Sequence, residues 1–500
     1  MHYRHNLPPP TTFSDNSYAA GTAQGRNTGC DILQFAGDTY RVGVWEPLGT
    51  TRAIGWDVNY LGTNYSSNNT LSISGYIIDP DVCLLRDVSG NIYAAVCYHN
   101  VTNSCYYLEV FQWNTSSFTF NSVYLNNFFT TPFGTTVNID GNTTMTGEFT
   151  IVWDDAGGRI YSAVGDMSGG IITINLHGSG VAGFSPDVSM YEDGSNDVVH
   201  ITYIDLNTGF LNVVDYTYAA LIAGNTTSPN IVLNVGSYLQ DWAFPRIASP
   251  GPIGGSVNEW TVVAEDYNTS LNIGPWHIVG YNNGIGPMVY NDGSLSPLVN
   301  LNGKANFYTS VCYSDNYPNN GIYVGWTFSN FSPIPYTYPG ALINTEYPIV
   351  LACDRNANPL VGCSYWQVPT SITNNNSDIS GFLSLASRHA NNEMFLTYQN
   401  IIVGGSLLWD VDYKMATGIN GISSLKIADN NISNNTICKL LLTEIECYSI
   451  DGKLLFKHDK LEDLNTKIKT YLKNRNDQIL IVKTNYNDGS FQSKKLHLNQ

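Results

Sequence analysis

Basic residues are scarce over most of this 500-residue chain. The sequence contains 23 Lys and Arg against 41 Asp and Glu. Residues 438–500 hold 11 basic and 8 acidic residues, so residues 1–437 hold 12 basic and 33 acidic residues. Nucleic acids and anionic membranes are bound through clusters of cations that displace counterions. The first 437 residues lack such clusters, so we expect neither nucleic acid nor an anionic membrane as a partner.

Long apolar runs and familiar catalytic motifs are missing as well. No stretch of 18 apolar residues occurs, so we expect no helical membrane span. The absence of H-E-x-x-H, G-x-S-x-G and C-x-x-C motifs removes the usual signals for a zinc protease, an α/β hydrolase and a structural zinc site. A G-x-G-x-x-G at residues 178–183 precedes the strand-like segment Phe184–Val188 rather than a helix, so we interpret it as a loop. We predict no catalytic residue, no metal ligand and no cofactor. Calcium bound by acidic turns is the alternative that stays open.

The nine cysteines show no metal-binding pattern, but two pairs suggest disulfides. Cys83 and Cys97 are symmetric about the turn at Ser89-Gly90, and Cys353 and Cys363 are symmetric about Asn358. Facing positions on a β-hairpin bring the Cβ atoms close enough for a bridge. We predict both disulfides; the alternative is that these residues are buried thiols.

The residues that are abundant favour strands and turns. Charged residues make up only 13% of the chain, whereas it contains 45 Gly and 33 Tyr together with many Asn and Thr. Tyr and Thr suit a pleated, half-buried surface, and Gly and Asn tolerate the positive φ of tight turns. An all-β fold is predicted.

A weak repeat runs through the body of the chain. Each copy has an apolar strand, a turn rich in Asp, Asn and Gly, and a second strand that ends in an aromatic residue. Most intervals between these aromatics suit one four-stranded propeller blade of about 40 to 50 residues plus loops. We predict a β-propeller of about seven blades, with six and eight as alternatives, and with ring closure by an N-terminal strand. The terminal aromatics are Trp45, Tyr98, Trp153, Tyr203, Tyr267, Trp326, Trp366 and Tyr398.

Two turns, at Asp87–Tyr93 and Asp155–Tyr161, share the tighter signature Asp-x-x-Gly-x-Ile-Tyr. In both, an Asp-led turn with Gly at a positive φ leads into a strand. The pattern resembles the hairpins of sialidase-like propeller repeats, although no segment has the complete Ser-x-Asp-x-Gly-x-x-Trp Asp-box. The resemblance concerns architecture and implies nothing about glycosidase activity.

A lysine-rich segment of different composition begins near residue 425. It contains Tyr448–Leu454 (Y-S-I-D-G-K-L), Ile479–Lys483 (I-L-I-V-K), an Asp-Gly turn at 488–489 and the Lys pair at 494–495. In this order the segments resemble the type A C-terminal sorting domain of Bacteroidetes type IX secretion cargo. The usual opening Pro-Asn-Pro is absent, and Asp429-Asn430-Asn431 stands near its place. The resemblance implies the secretion machinery as a partner and an extracellular or outer-membrane surface location.

Four parts are predicted from these features. Residues 1–25 are an N-terminal arm, 26–405 the propeller body, 406–424 a linker and 425–500 the sorting domain, whose alternating segments suit a small Ig-like sandwich. Residues 1–10 carry no apolar signal-peptide segment, so we expect the sequence to be a mature or truncated form of an exported protein; the alternative is that the protein is not exported.

Aromatic residues outside the repeat register are the candidate binding residues. The tryptophans that end repeats suit core packing between blades. Adjacent acids such as Asp154 and Asp155 point apart and suit solvated or calcium-binding turns better than a glycosidase pair, and the spacing of the arginines identifies no carboxylate-gripping trio. Exposed aromatic planes stack on the CH faces of sugars. Those in loop-like surroundings are Trp56, Trp113, Trp242, Trp276 and Tyr336.

Two functions compete on these grounds. The leading hypothesis is a secreted or surface-anchored adhesin or carbohydrate-binding propeller, with a neutral glycan or a surface protein as its ligand. The alternative is a secreted, glycan-degrading, sialidase-like enzyme, and a third hypothesis is a purely structural surface protein. An aromatic-lined mouth favours the first, and an acid pair with an arginine trio at the mouth favours the second.

Deletion of residues 425–500 should leave the protein in the periplasm of a type IX-competent host, because the sorting domain carries the export signal. Cell fractionation with surface protease digestion measures this. Surface delivery that is undiminished without the tail would contradict the prediction.

Overall fold

The structure, a computed structural model, describes part of the chain. The described residues are 12–18, 28–46, 53–142, 146–167, 170–177, 182–191, 197–226, 229–237, 241–250, 259–267, 277–282, 285–289, 305–313, 322–329, 346–353, 365–367, 379–387, 394–402, 408–417, 442–449, 454–458, 479–486 and 491–497. By its contacts the chain divides into two units, Met1–Ile427 and Ala428–Gln500. In the described residues, no helix is long and apolar enough to cross a membrane.

The described residues of the first unit form seven four-stranded antiparallel sheets, the blades of a β-propeller. Blade 1 comprises β2 (Thr28–Phe35), β3 (Asp38–Trp45), β4 (Ile54–Tyr60) and β5 (Thr63–Asn69). Blade 2 comprises β6 (Ile77–Arg86), β7 (Ile92–Asn100), β8 (Cys105–Asn114) and β9 (Thr119–Thr130). Blade 3 comprises β10 (Phe133–Gly141), β11 (Glu148–Asp155), β12 (Ile160–Asp166) and β13 (Gly170–Leu176).

The next three blades repeat this order of strands. Blade 4 comprises β14 (Gly183–Tyr191), β15 (Val198–Asp205), β16 (Leu211–Thr217) and β17 (Asn230–Val235), with the short helix α1 (Tyr218–Ile222) between its last two strands. Blade 5 comprises β18 (Asp241–Ala248), β19 (Thr261–Tyr267), β20 (His277–Asn282) and β21 (Ile285–Val289). Blade 6 comprises β22 (Ala305–Tyr313), β23 (Ile322–Ser329), β24 (Glu346–Cys353) and β25 (Tyr365–Gln367).

Blade 7 closes the ring with a strand from the start of the chain. It comprises β26 (Ile379–Ala386), β27 (Met394–Ile402), β28 (Leu408–Thr417) and, as its outer strand, β1 (Thr12–Tyr18). β1 pairs antiparallel with β28, from Thr12 opposite Thr417 to Tyr18 opposite Val411. The prediction of ring closure by an N-terminal strand is confirmed. The ranges predicted as arm and linker therefore contain β1 and β28.

The blade count follows from the terminal aromatics once their strands are known. Seven of the eight lie on the second strands of the blades, whereas Trp366 lies on β25, the outer strand of blade 6. The short final intervals thus come from one aromatic outside the repeat register. Seven blades are confirmed in the described part of the chain. Gly183 begins the strand β14, as expected, whereas residues 178–181 of the predicted loop lie outside the described residues.

The core lies in layers between successive blades, and the second strand of each blade contributes many of its buried side chains. All eight residues of β3 are buried, and the terminal tryptophans Trp45, Trp153 and Trp326 are at most 1% exposed. A strand flanked by strands on both edges and by blades on both faces can bury every side chain. The interpretation of these three tryptophans as core packing is confirmed.

Side chains hold the inner strands of neighbouring blades together. The first strand of each blade lies at the edge of its sheet, where outward N–H groups need acceptors. The carboxylate of Asp81 accepts the N–H of Ile139 (3.0 Å), and that of Asp187 accepts the N–H of Ile247 (2.8 Å). We call this set of acceptors the channel girdle. It consists of Asp31, Asp81, Asp140, Asp187 and Ser310, whose acceptor oxygens bond the N–H groups of Leu84, Ile139, Met190, Ile247 and Leu385.

The girdle lines a narrow polar channel of about 150 Å³, to which all seven inner strands contribute. Arg246 projects among the acids and donates to Asn138 (2.6 Å), and it lies 3.7 Å from Asp187. Burial raises the pKa of Asp81 to about 7 and that of Asp187 to about 6, against the lowering effects of their backbone hydrogen bonds and of Arg246. Gly29 sits where a Cβ atom would lie 2.5 Å from a carboxylate oxygen of Asp81, so β2 can approach β6 only without a side chain there.

The predicted disulfide between Cys83 and Cys97 is wrong. The hairpin pairs Arg86 with Ile92, so Cys83 faces Ala95 and Cys97 faces Asp81. Both are free, buried thiols whose pKa values are raised by burial. The symmetry argument misplaced the centre of the turn by one residue, which shifts the register by two.

The second predicted pairing remains a prediction. Cys353 ends β24, and the register of β24 with β25 sets Ile349 opposite Gln367 and Leu351 opposite Tyr365. That register is the one a bridge between Cys353 and Cys363 requires, but Cys363 lies outside the described residues.

The second unit contains a four-stranded antiparallel sheet in the order β30-β29-β31-β32. The strands flank the predicted Asp-Gly turns at 451–452 and 488–489, which lie outside the described residues. The segments predicted as strands are confirmed, and the sandwich stays a prediction because the described residues form one sheet. The strands are β29 (Leu442–Ser449), β30 (Leu454–His458), β31 (Ile479–Tyr486) and β32 (Phe491–His497).

Asp81→Asn should flatten the pH dependence of stability. Because the folded pKa of Asp81 is raised from 3.8 to about 7, the folded protein keeps a proton that the unfolded chain releases. This contribution is complete below the unfolded pKa and is lost as the pH rises through about 7. Asn keeps an acceptor for the Ile139 N–H without ionising, so the Tm of the wild type should fall relative to that of Asp81→Asn as the pH is raised through this window.

The matched variant Asp81→Ala removes the acceptor and should lower Tm at every pH. Thermal unfolding monitored by circular dichroism across the window measures all three proteins. A constant difference in Tm between the wild type and Asp81→Asn would show that Asp81 does not titrate in this way.

Candidate functional site

Bulges at the start of the inner strands turn the chain toward one end of the propeller. In blades 2, 4 and 5 the residue just before a proline has a positive φ: Asp79 (49°), Ser185 (52°) and Phe244 (44°). Each stands within a register shift of its blade's first two strands. A positive φ is costly for residues other than glycine, so its recurrence at one repeat position marks it as part of the architecture. Bulges re-aim side chains, and in blade 2 the re-aimed side chain is an acid.

A pocket of about 450 Å³ opens at this end, where blades 1, 2 and 3 meet. Glu46 follows β3 of blade 1, Asp79 and His99 belong to β6 and β7 of blade 2, and Phe133 begins β10 of blade 3. Tyr76, just before β6, is 43% exposed. The lining residues are Glu46, Tyr76, Ile78, Asp79, His99, Val101, Ser104, Pro132 and Phe133.

The two acids of the pocket are buried and linked in series. One carboxylate oxygen of Glu46 accepts the backbone N–H of Asp79 (2.9 Å), and one of Asp79 accepts the backbone N–H of Val137 (2.9 Å). Glu46 is 3% exposed and Asp79 is 4% exposed. These bonds join three blades at the pocket floor, so the positions of both carboxylates are fixed by the fold.

His99 forms part of the pocket wall between two aromatic rings. Its ring centroid lies 4.6 Å from that of Tyr106 and 4.9 Å from that of Phe133, and the residue is 1% exposed. Nε2 lies 3.2 Å from the carbonyl oxygen of Thr131. Burial lowers the pKa of His99 to about 4, so the ring is neutral at pH 7. A carbonyl accepts only, so Nε2 carries the proton and Nδ1 holds a lone pair.

No described arginine or lysine lines the pocket. Arg41 pairs with Asp57 (2.9 Å), Arg159 pairs with Asp155 in the turn between β11 and β12, and Arg246 lies in the channel. The described residues contain no cluster of three or more acids, histidines or cysteines fit to hold a metal ion. The described lining therefore offers hydrogen-bond acceptors and aromatic surface rather than a grip for an anion.

Three of the predicted binding aromatics are core residues instead. Trp56 and Trp242 are 2% exposed and Trp113 is 6% exposed. They lie on strands β4, β18 and β8, and Trp56 packs edge-on against Phe120 at 5.8 Å. Lying outside the repeat of terminal aromatics made them look like loop residues, but other strands of a blade bury aromatics too. Trp276 and Tyr336 lie outside the described residues, and their role stays a prediction.

The adjacent acids Asp154 and Asp155 do point apart, as expected, but neither is solvated. Asp154 is 1% exposed and accepts the N–H groups of Thr135 and Thr136 at the bulge of blade 3. Asp155 accepts the N–H groups of Gly157 and Arg159 and holds its turn together. These carboxylates satisfy backbone donors, which explains their burial.

Sequence reasoning missed Glu46, Asp79 and His99 as pocket residues. A signal for two of them stands beside the repeat itself: Glu46 follows Trp45 and His99 follows Tyr98, each directly after a terminal aromatic. Asp154 follows Trp153 in the same way. In blades 1, 2 and 3, a polar residue thus directly follows the aromatic that the second strand buries in the core.

Comparisons with known proteins give distant structural likenesses. No protein-family model and no curated protein matches the chain. A lectin from Aleuria aurantia, solved with α-methyl-L-fucoside, is 11% identical with a TM-score of 0.40, covering 72% of this chain and 99% of the lectin. An α-L-arabinofuranosidase from Fusarium graminearum is 10% identical (TM-score 0.38; 81% and 98% covered), and a sialidase from Streptococcus pneumoniae is 8% identical (TM-score 0.38; 78% and 69% covered). At these values the likenesses assign neither ligand nor activity.

Trp56→Ala should destabilise the protein, because it empties a fully packed site between strands. Large-to-small changes of buried aromatics cost about 3–5 kcal/mol of unfolding free energy. Chemical denaturation should show this loss, whereas Tyr76→Ala, at an exposed aromatic, should change stability little. Equal and small effects of the two variants would contradict the core assignment of Trp56.

Proposed function

We propose that the protein is a carbohydrate-binding propeller that holds a neutral sugar in the pocket between blades 1, 2 and 3. The observation that carries the proposal is the joint presence there of Tyr76 and Phe133 with the buried Glu46, Asp79 and His99. Specific small-molecule sites combine apolar and aromatic walls with a few fixed polar groups, and a volume of about 450 Å³ lies in their usual range.

The chemistry of the lining favours a donor-rich, uncharged ligand. Carboxyl oxygens accept hydrogen bonds, and sugar hydroxyls supply donors in abundance. No described lysine or arginine lines the pocket to balance the charge of an anionic ligand beside Glu46 and Asp79. The acidic first 437 residues repel anions at longer range in the same sense.

Tyr76→Ala should weaken glycan binding, because the exposed ring is the natural platform for a sugar face. A glycan array of neutral polysaccharides and oligosaccharides first selects a ligand for the full-length protein. Calorimetric titration should then show at least a fivefold rise in Kd, the equivalent of about 1 kcal/mol for a contact residue. Leu61→Ala is the control, since Leu61 is 79% exposed in the β4–β5 turn and does not line the pocket. Equal affinities of both variants and wild type would refute the site.

Glycoside hydrolysis is the second candidate function. It is favoured by the placement of two carboxylates, Glu46 and Asp79, in one pocket, since glycosidases use an acid pair. The absence of an arginine trio among the described residues favours binding over sialidase-like chemistry. Release of nitrophenol from nitrophenyl glycosides by the full-length protein, abolished by Glu46→Gln, would replace the binding function with the enzymatic one.

Export to the cell surface is the second part of the proposal. The lysine-rich tail, with the segment order of a type IX sorting domain, supports delivery through the outer membrane. The four-stranded sheet of residues 442–497 is compatible with such a domain. A surface location would bring the pocket to glycans outside the cell or to a surface protein that carries them.

A further inference from the structure

We infer that His99 is the specificity-determining hydrogen-bond acceptor of the pocket. Its Nδ1 atom accepts a hydrogen bond from a hydroxyl of the bound sugar. This inference rests on the proposed function and narrows it to ligands with a free hydroxyl at one defined position. Among the described lining residues, Nδ1 of His99 is the buried side-chain polar atom that has no hydrogen-bond partner.

The tautomer of His99 is set by the backbone. Nε2 faces the carbonyl oxygen of Thr131 at 3.2 Å, which requires an N–H at that position. Nδ1 of a neutral imidazole is then an acceptor and cannot donate. The ligand group that completes it must be an O–H or N–H donor; an ether, a methylated hydroxyl or a carboxylate cannot serve.

Burial explains why this atom has consequences for affinity. A buried acceptor without a partner costs about 1–3 kcal/mol, and native proteins leave few of them. A ligand that supplies the donor removes this cost, and a ligand that lacks it leaves the cost in place. The difference between the two ligands is on the order of 5- to 150-fold in Kd.

The ring of Phe133 lies beside the imidazole of His99. The Nδ1 atom is shielded from solvent, and the half-buried Phe133 ring lies 4.9 Å from the imidazole, centroid to centroid. Phe133 begins β10, and the register of β10 with β11 shifts between Phe133 and Val137. Because Nδ1 is shielded from solvent, a hydroxyl reaches it only if a neighbouring side chain shifts, and Phe133 is the half-buried lining residue whose ring contacts the imidazole.

Two variants separate a binding role from a structural one. Asn at position 99 places an amide near the position of Nδ1 but loses the donor to Thr131, whereas Gln reaches toward the position of Nε2 and loses the acceptor. His99→Asn should keep binding within a few fold of wild type, and His99→Gln should weaken it on the order of 5- to 150-fold. Tm values measured in parallel report the structural contribution of the bond to Thr131.

The probes are the methyl glycosides of glucose, galactose and mannose, each with its monodeoxy series, titrated into the full-length protein. For a glycoside that binds, one monodeoxy analogue should bind the wild type more weakly, and the rise in Kd should equal the rise that His99→Gln causes for the parent glycoside. The Kd of that analogue should be the same for His99→Gln as for the wild type. Full binding by His99→Gln with loss in His99→Asn would make His99 a merely structural residue. Binding that depends on Tyr76 but not on His99 would overturn this inference alone; binding of no glycoside or oligosaccharide would remove the proposed function as well.

Discussion

The exposed edges of the inner strands are the constraint on which this structure depends. Each blade presents an unpaired strand edge to the channel, and its N–H groups need acceptors in a narrow space. Asp81 and Asp187 each reach across to the backbone of the next blade, about 60 residues further along the chain, and Asp31 and Asp140 do the same. An acidic inner ring follows from the geometry of a propeller with a small channel, since a carboxylate offers acceptors and no donors. The raised pKa of Asp81 is the cost of that arrangement.

The pocket is a consequence of the same construction. The bulge that precedes the girdle residue Asp81 contains Asp79, whose N–H meets Glu46 of blade 1 and whose carboxylate meets Val137 of blade 3. The pocket wall is completed by His99, one residue beyond a core aromatic. A site of this kind draws single residues from three blades, so it leaves no contiguous motif in the sequence.

Periodic features were predictable and register-dependent ones were not. The recurrence of Tyr98, Trp153 and Tyr203 led to the right fold class and blade number, because burial of one aromatic per blade is a repeating requirement. The pairing of Cys83 with Cys97 failed by two residues, since turn geometry decides register and symmetry about a turn does not. The prediction of Trp56, Trp113 and Trp242 as binding residues failed for a related reason. Aromatic residues on the third and inner strands of a blade are buried as deeply as those on the second strand.

The central claim is that a neutral sugar occupies the pocket formed by blades 1, 2 and 3. The most direct measurement is a crystal structure of the protein with an oligosaccharide selected by array screening. The account predicts density for a sugar ring against Tyr76 and Phe133, with one hydroxyl within hydrogen-bond distance of Nδ1 of His99. A sugar bound elsewhere on the propeller, with this pocket filled by solvent, would contradict it.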